Sequence, residues 1–219
     1  MIELILKAGL SYLLGSVVGS LVVARITGGA DIRTLGSGNA GATNALRTQG
    51  KKVGLAVLAI DLAKGWIATG VIAPWTMPQS LVPTAAAPLA AWCAPLCGLA
   101  VMLGHVYPLW YGFRGGKGFA TLLGAVLGIN GWLLLPMLLT WLAVVVGCGY
   151  VGLASILSSV ALTLAIAVMR LRVPLLTFGA SSALLMLFTH RANVARVRAG
   201  TEPRARRLWL FGSRRGPAG

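Results

Sequence analysis

The sequence predicts an all-α integral membrane protein, a polytopic bundle of about seven transmembrane helices. Of its 219 residues, 57% are hydrophobic and only 11% are charged, and the mean hydropathy is +0.84, far above that of soluble domains. Apolar runs of roughly 20 residues, the length that crosses a bilayer, recur with short polar connections. A single transmembrane domain over residues 1–219 is therefore expected.

Seven apolar runs account for the predicted helices. They cover, in chain order, residues 4–24, 53–73, 85–103, 119–129, 131–149, 153–169 and 173–189. The fourth run is short for a span and only Asn130 and Gly131 separate it from the fifth, so a shallow hairpin and a total of six spans stay open as alternatives. The first run is preceded by no basic segment and no cleavage site, and we expect it to stay attached.

Basic residues predict the orientation of the bundle. They concentrate in the loops at about 25–52 and 104–118 and in the tail at 190–219, which holds eight arginines from Arg191 onward. The positive-inside rule therefore places the amino terminus outside and the tail in the cytoplasm. Arg170 and Arg172 fall on the outer side and depart from this distribution.

The first polar loop has the composition of an anion-binding loop. It reads "DIRTLGSGNAGATNALR" from Asp31 to Arg47. Its glycines allow backbone amides to turn toward a ligand, its short polar side chains add donors, and Arg47 supplies a planar cation. The candidate ligand-binding residues are Gly36, Ser37, Gly38, Asn39, Thr43, Asn44 and Arg47. The alternative, a simple glycine-rich turn, requires neither the length nor the donors.

The second polar loop presents a lysine among glycines. It reads "GHVYPLWYGFRGGKGFAT" from Gly104 to Thr121. A nucleotide-binding P-loop is excluded because three residues rather than four separate Gly112 from Gly116, and because Gly118 follows Lys117 where Ser or Thr is needed. The remaining functional interpretation is that the glycines form a flexible loop that directs Lys117 toward an anion. Arg114 is a candidate for a second cation in this loop.

The tail begins "HRANVARVRAGTE" at His190 and reaches Glu202. His190 and Asn193 are three residues apart, so they share a face if the last helix continues. A structural histidine at a helix end is the alternative. The arginines that follow suit contact with anionic membrane lipids.

Two features inside the apolar runs have structural and functional interpretations. Asp61 and Lys64 lie three residues apart on one helical face, where they are expected to form an intramembrane ion pair or to take part in substrate binding. Cys93, Cys97 and Cys148 lie in apolar stretches without metal-ligating neighbours, so buried free thiols are expected.

The small number of acidic residues and histidines excludes several chemistries. The chain has four carboxylates, Glu3, Asp31, Asp61 and Glu202, and two histidines, His105 and His190. Paired-carboxylate catalysis and a metal site are therefore not expected, and neither histidine starts the HxxxxD pair of thioester-dependent acyltransferases. The net charge of +15 is distributed at membrane borders, which favours anionic lipids or substrates and not nucleic acid.

Together the three motifs resemble the bacterial acyl-phosphate:glycerol-3-phosphate acyltransferases, the PlsY family. The resemblance covers the whole chain, from "SYLLGS" through the two loops to "YVGLASI" and the "HRANVARVRAGTE" tail. It implies a seven-span enzyme of the bacterial inner membrane with its site at the cytoplasmic face. The implied reaction transfers a fatty acyl group from acyl phosphate to the sn-1 hydroxyl of glycerol 3-phosphate, giving lysophosphatidic acid and phosphate without a cofactor.

The resemblance also implies roles for individual residues. Those that would hold the acyl-phosphate head are Ser37, Gly38, Asn39, Thr43 and Asn44, beside Gly36. Those that would bind and orient glycerol 3-phosphate are Arg47, Lys117, Ser155, His190 and Asn193, near Gly116, and a catalytic role is expected for Ser37, Arg47, Lys117, His190 and Asn193. His105 and Glu202 occupy motif positions as further substrate-binding candidates. The chain departs from the family at Val17 and Val18, where an apolar residue and Pro are usual, and at Gly152, where Ser is frequent.

Since no general base is evident, we hypothesise that the phosphate of acyl phosphate itself accepts the hydroxyl proton. A transporter or channel for a phosphorylated anion is the main rival, since basic loops and an intramembrane ion pair suit that function too. A lipid-binding membrane partner without catalysis is the third interpretation. The polar loops gather on one face and no inverted repeat is evident, which favours the enzyme.

Overall fold

The computed structural model describes residues 1–76, 87–205 and 208–210, and all regular structure within them is helical. The helices are α1 Ile2–Gly15, α2 Gly19–Thr27, α3 Ala42–Thr48, α4 Lys51–Ile67, α5 Ala87–Ala90, α6 Cys93–Val106, α7 Phe119–Asn130, α8 Leu134–Cys148, α9 Val151–Val168, α10 Val173–Thr189 and α11 Arg191–Arg198. A π-helical turn, Ala68–Ile72, continues α4, and 3-10 turns occupy Ile32–Thr34, Leu109–Tyr111 and Gly131–Leu133.

Several of these helices can cross a membrane. Among the described residues, four helical runs are long and apolar enough: Lys51–Ile72, Cys93–Tyr111, Phe119–Cys148 and Val151–Val168. Two bent pairs, α1 with α2 and α10 with α11, raise the number to six if each pair is one span. The predicted polytopic helical bundle is confirmed at this level, and the predicted total of seven spans stays a prediction.

The first predicted helix, residues 4–24, is wrong as one continuous element. The chain leaves the helix at Ser16 and re-enters it at Gly19, and α1 and α2 meet at 45°. Apolar composition cannot indicate this break, because its cause is a long-range contact: the Lys64 ammonium binds two of the backbone carbonyls at the break. The predicted helix 85–103 is also interrupted, at Ala91 and Trp92 between α5 and α6, whereas the other boundaries agree within a few residues and the last, 173–189, matches α10.

Other expectations need correction or fall outside the described residues. Cys93 and Cys97 are buried free thiols as expected, but Cys148, at the end of α8, is exposed. The start of the predicted helix 85–103 and most of the tail beyond residue 205 lie outside the described residues.

The bundle is built from close helix pairs. α1 packs along α6, α4 along α7, and α9 between α8 and α10. At the α4–α7 contact the backbones nearly touch: a Cβ added at Gly65 would lie 2.2 Å from the Thr121 carbonyl oxygen, and one at Gly124 would lie 2.0 Å from that of Leu62. Small residues allow this approach because, within lipid, packing contacts replace the hydrophobic effect as the force between helices.

Substituting Gly124 with Ala is expected to destabilise the protein by about 1–3 kcal/mol, because the new methyl overlaps a backbone carbonyl that cannot rotate away. Thermal unfolding in detergent measures the effect. Gly9→Ala is the matched control, since a Cβ at Gly9 meets nothing within 4 Å. Equal unfolding temperatures for the two variants would contradict the close α4–α7 packing.

Candidate functional site

One large cavity, about 940 Å³, gathers residues from distant parts of the chain. Its walls come from the first loop and α3, from α4, from the start of α7, from α8 and α9, and from the bend between α10 and α11. Its lining combines polar and charged side chains of the loops with Leu and Trp side chains of the helices. This shape and lining suit an amphiphilic ligand.

The predicted site residues lie together with two exceptions. The cavity is lined by Gly36, Ser37, Asn39, Thr43, Asn44, Arg47, His105, Lys117, Ser155, His190, Asn193 and Glu202. Gly38 and Gly116 are not among the lining residues. Gly38 adopts a positive φ of 69° within the loop turn, and Gly116 packs on the His105 ring, where a Cβ would come within 2.2 Å of Nε2. Both glycines shape their loops from outside the cavity.

Asn44 organises the first loop from within. Its side-chain amide donates to the carbonyls of Ile32, Leu35 and Asn39, and its Oδ1 accepts the Ser37 N–H at 3.1 Å. The side chain is 3% exposed. Because the loop backbone engages both ends of its amide, Asn44 holds the loop in shape and has little capacity left for a ligand.

The donors that remain for a ligand are neighbouring side chains. Within the described part of the chain, the side chains of Ser37, Asn39 and Thr43 form no hydrogen bond, and all three line the cavity. The Arg47 guanidinium lines it as well. This set of neutral donors and one cation fits the oxygens of a phosphate.

Arg33 joins the first loop to the second. Its guanidinium pairs with Asp31 at 2.6 Å and donates to the carbonyls of Tyr111 and Arg114. Hydrogen bonding with Arg33 lowers the pKa of the Asp31 carboxyl. The contact places the glycine frame of Lys117 beside the anion-binding loop, whereas Arg114 does not line the cavity. Arg114 is therefore not the second cation considered from the sequence.

Lys117 stands at one end of a chain of polar contacts. Its ammonium donates to Asn193 Oδ1, Asn193 Nδ2 donates to Glu202 Oε1 at 2.6 Å, and Arg196 Nε donates to Glu202 Oε2 at 2.6 Å. Glu202 thus fixes the orientation of the Asn193 amide, so that its oxygen faces the lysine. A Cβ at Gly152 would lie 2.8 Å from the Asn193 amide, so this departure from the family leaves room for Asn193.

The surroundings of Lys117 lower the pKa of its ammonium group. Burial, followed by the charge of Arg196, lowers the pKa of the Lys117 ammonium to about 8, and Glu202 opposes the shift. Three cations, Arg47, Lys117 and Arg196, therefore share the cavity with the carboxylate of Glu202. An anion bound there reduces the repulsion among the cations.

His190 lies past the end of α10, at the bend, and is 4% exposed. Its Nδ1 lies 2.9 Å from the Met186 carbonyl oxygen, which can only accept, so Nδ1 carries a proton. Burial, and then Lys117, lowers the pKa of the imidazole to about 4. Near neutral pH, Nε2 is thus an acceptor facing the site, and the ring is a weak base.

A buried ionic cluster adjoins the cavity, and two of its members, Asp61 and His105, are among the lining residues. Lys64 Nζ lies 3.0 Å from Asp61 Oδ1 and 2.7 Å from His105 Nδ1, and it also donates to the carbonyls of Gly15 and Val17. Asp61 in turn accepts the Gly19 N–H at 3.2 Å. The intramembrane ion pair expected from the sequence therefore satisfies both sides of the α1–α2 break.

The cavity also has an apolar part of its lining. This apolar wall is formed by Leu46, Leu55, Leu58, Leu123, Leu138 and Trp141. These residues belong to α3, α4, α7 and α8, and Leu46, Leu55 and Leu138 among them are exposed. A hydrocarbon chain can lie along this wall while its polar end reaches the loops.

Sequence reasoning missed Arg196 as a site residue. It follows Asn193 by three residues, as Asn193 follows His190, and this spacing on a short helix was the available signal. No cluster of three His, Cys, Asp or Glu residues that could hold a metal ion occurs in residues 1–76, 87–205 and 208–210.

Comparisons with known proteins place this site in a family. A model of the family described as glycerol-3-phosphate acyltransferase matches residues 5–200. A glycerol-3-phosphate acyltransferase of Geotalea daltonii is 39% identical over 200 residues, 91% of this chain and 96% of its own. One from Aquifex aeolicus is 37% identical over 194 residues, 89% of this chain and 95% of its own.

Two solved structures share the fold. The crystal structure of PlsY (YgiH), an integral membrane glycerol 3-phosphate acyltransferase, in its glycerol 3-phosphate form, has a TM-score of 0.80 and 35% sequence identity. The lysophosphatidic acid form has a TM-score of 0.78 and 34% identity. Each comparison covers 92% of this chain and 94% of the other.

Proposed function

This chain belongs to the glycerol-3-phosphate acyltransferase family and transfers a fatty acyl group to glycerol 3-phosphate, and we propose that its acyl donor is acyl phosphate and its products are lysophosphatidic acid and inorganic phosphate. This would be the first acylation of bacterial phospholipid synthesis. The observation that carries the proposal is one cavity lined both by polar and cationic side chains that can bind phosphates and by Leu and Trp side chains that can contact a hydrocarbon chain.

The two groups of side chains suit two different phosphates. We assign Ser37, Asn39 and Thr43 to the acyl-phosphate head, since these are the donors left unused by the loop. Arg47 and Lys117, together with Ser155, His190 and Asn193, would bind and orient glycerol 3-phosphate. Holding the acceptor hydroxyl in line with the acyl carbon makes the encounter intramolecular, which can lower the barrier by about 7–11 kcal/mol.

The reaction balances without a cofactor or a protein base. The sn-1 hydroxyl oxygen attacks the acyl carbon, the bond from that carbon to the phosphate oxygen breaks, and phosphate leaves with the hydroxyl proton. His190 is too weak a base near neutral pH to compete for that proton, given a pKa lowered to about 4 by burial and Lys117. Its Nε2 instead orients the hydroxyl by accepting its hydrogen bond.

Seven membrane crossings are the topology that we propose, with one domain over residues 1–219. Phe119, at the start of α7, and Val151, just after α8, line the same cavity. A single straight helix of 30 residues would separate its ends by about 45 Å. The chain must therefore reverse near Asn130, whose backbone is extended, so α7 and α8 are short separate crossings in a locally thin membrane.

The orientation follows from the basic loops. With seven crossings the cavity, the loops at about 25–52, 104–118 and 150–155 and the tail at 190–219 share one side, which the positive-inside rule makes cytoplasmic. The amino terminus is then outside, and the membrane is the bacterial inner membrane. Membrane lipids contact the tail arginines at this face.

The transporter interpretation loses its main support. Asp61 lines the cavity, but both Asp61 and Lys64 are engaged by the backbone of the α1–α2 break, and Lys64 is not among the lining residues. The lining of the cavity combines cationic and polar side chains with several Leu and Trp side chains, and this suits an amphiphile and not an ion crossing the bilayer.

The decisive assay uses the purified, detergent-solubilised protein with palmitoyl phosphate and labelled glycerol 3-phosphate. Lysophosphatidic acid and phosphate are expected in equal amounts, because each transfer releases one phosphate. Palmitoyl-CoA in place of palmitoyl phosphate serves as the control donor. Product formed from the CoA ester alone would overturn the proposed donor, and no product from a folded sample with either donor would overturn catalysis by this protein.

The rate should depend on the protonation of Lys117. With the pKa of its ammonium lowered to about 8, kcat/KM for glycerol 3-phosphate is expected to be constant up to about pH 7.5 and to fall tenfold per pH unit well above pH 8. The cation is present below its pKa and is lost above it. Lys117→Arg should remove this alkaline decline, since a guanidinium stays charged. An unchanged decline in that variant would assign it to another group.

A further inference from the structure

The chain folds back across the cavity after α11, in a segment that we call the strap, residues 201–205. Three strap residues, Thr201, Glu202 and Pro203, line the cavity. The match to the family model ends at residue 200. The strap is therefore part of the site of this protein although that match does not cover it.

Arg204, near the end of the strap, contacts two aromatic rings. The carbon at the centre of its guanidinium lies 4.8 Å from the centroid of the Tyr150 ring and 4.1 Å from that of Trp209. Trp209 in turn donates from Nε1 to the Gly147 carbonyl at 3.1 Å. Cation–π contacts with two rings, together with this hydrogen bond, fasten the strap to the junction of α8 and α9.

Backbone contacts complete the attachment. The Ala205 N–H donates to the Gly149 carbonyl at 2.8 Å, and the Leu210 N–H donates to the Val146 carbonyl at 3.1 Å. Carbonyls in the last turn of a helix have no partner within it, so the end of α8 presents a ready row of acceptors. Gly149 has a φ of 79°, and a Cβ there would meet Arg204 and Trp209 at 3.1–3.3 Å, so glycine allows the close approach.

The other end of the strap reaches the charged centre of the site. Glu202 accepts from Asn193 and from Arg196, each at 2.6 Å, and Asn193 accepts from the Lys117 ammonium. Fixing the strap at Arg204 therefore restrains Glu202, and through it the amide that orients Lys117. The contacts run without interruption from the end of α8 to that cation.

We propose that Arg204 and Trp209 are positioning residues for the phosphate of glycerol 3-phosphate. They anchor the strap on α8 and so keep Lys117 oriented for that phosphate. This inference rests on the proposed function of the cavity. It predicts an effect on acceptor binding that exceeds the effect on the chemical step, because neither residue touches the reacting atoms.

The test compares steady-state kinetics of the full-length Arg204→Ala and Trp209→Ala variants with the unmodified enzyme. The KM for glycerol 3-phosphate is expected to rise about tenfold, with kcat within about threefold and the KM for palmitoyl phosphate within about twofold. Trp209→Phe keeps a ring for Arg204 and should recover most of the loss. The matched controls are Arg172→Ala, just before α10, and Trp132→Ala, in the 3-10 turn after α7, since neither residue lines the cavity.

A second measurement separates positioning from folding. Glycerol 3-phosphate at about ten times the KM of the unmodified enzyme should raise the melting temperature of the unmodified protein and of both controls, since the stabilisation by a ligand grows with the ratio of its concentration to its dissociation constant. The alanine variants should lose most of this rise at the same ligand concentration. A merely structural anchor would instead lower the melting temperature without ligand and leave the ligand-induced rise intact.

The kinetic and thermal measurements together decide whether Arg204 and Trp209 are positioning residues. A KM for glycerol 3-phosphate within twofold of the unmodified value, or equal losses in the controls, would overturn the proposal, as would a normal ligand-induced rise in both alanine variants. Should an alanine variant fail to fold, the same two readouts on Arg204→Gln and Trp209→Leu decide, because these keep side-chain bulk but remove the guanidinium or the ring, and a KM for glycerol 3-phosphate raised more than twofold is expected. Absence of turnover in the unmodified protein would instead contradict the proposed function itself.

Discussion

Replacing Lys117 with Met is expected to lower kcat/KM for glycerol 3-phosphate by at least about 100-fold, the loss typical of a charge-assisted contact that strengthens in the transition state. Methionine keeps an unbranched apolar chain of similar length but cannot neutralise a phosphate. It also leaves Asn193 Oδ1 without the donor that it now accepts from. Steady-state rates of lysophosphatidic acid formation measure the effect.

Arg114→Met is the matched control for this variant. Arg114 belongs to the same glycine-rich loop and carries the same charge, but it is exposed and does not line the cavity. We expect its kcat/KM to stay within about threefold of the unmodified enzyme, since a surface charge acts through a screened field. Similar losses in both variants would mean that the loop acts through net charge and that Lys117 has no specific contact with substrate.

The folded state of the Lys117→Met variant should be unaffected. Lys117 is only half-buried, and removing its charge from beside Arg47 and Arg196 relieves repulsion. This relief offsets the loss of the donor to Asn193, so an unfolding temperature close to that of the unmodified protein is expected. A large decrease would mean that the lysine is structural and that the lost activity reports unfolding.

The helices were predictable because lipid imposes their length and composition. Runs of apolar residues located α4, α7, α9 and α10 within a few positions, since an apolar stretch in a bilayer must satisfy its backbone within a helix. The break between α1 and α2 was not predictable. It depends on the Lys64 ammonium, 47 and 49 residues away, binding the carbonyls of Val17 and Gly15, and hydropathy carries no information about such a contact.

The site was predictable as a set of residues but not as an arrangement. Polar side chains and glycines stand out against an apolar sequence, and most of those chosen line one cavity. The role of each of these residues depends on the hydrogen bonds that it forms in the folded protein. The side-chain amide of Asn44 is hydrogen-bonded to the backbone of its own loop, whereas a hydrogen bond to Glu202 orients the amide of Asn193 so that its oxygen faces Lys117. Two asparagines that were equally good candidates in the sequence therefore have different roles: Asn44 holds its loop in shape, and Asn193 contacts Lys117.

Replacing Lys64 with Met is expected to destabilise the protein by about 3–5 kcal/mol, because removing one partner of a buried ion pair leaves the other charge uncompensated. Asp61 is 1% exposed and Lys64 2% exposed. The substitution also strips hydrogen-bond donors from the carbonyls of Gly15 and Val17 within the membrane. Unfolding in detergent, followed by the loss of helical signal against temperature or denaturant, measures the change.

A double variant tests whether the loss of stability comes from the broken Asp61–Lys64 ion pair or from the unpaired carbonyls at the α1–α2 break. Asp61→Asn with Lys64→Met removes both charges and leaves the carbonyls unsatisfied, so it should regain part of the stability lost by Lys64→Met alone. A residual loss of about 1–3 kcal/mol would measure the unpaired backbone carbonyls. If the double variant lost the sum of the two single effects, the two side chains would be energetically independent, and the ion pair would not be what holds the α1–α2 break beneath the cavity.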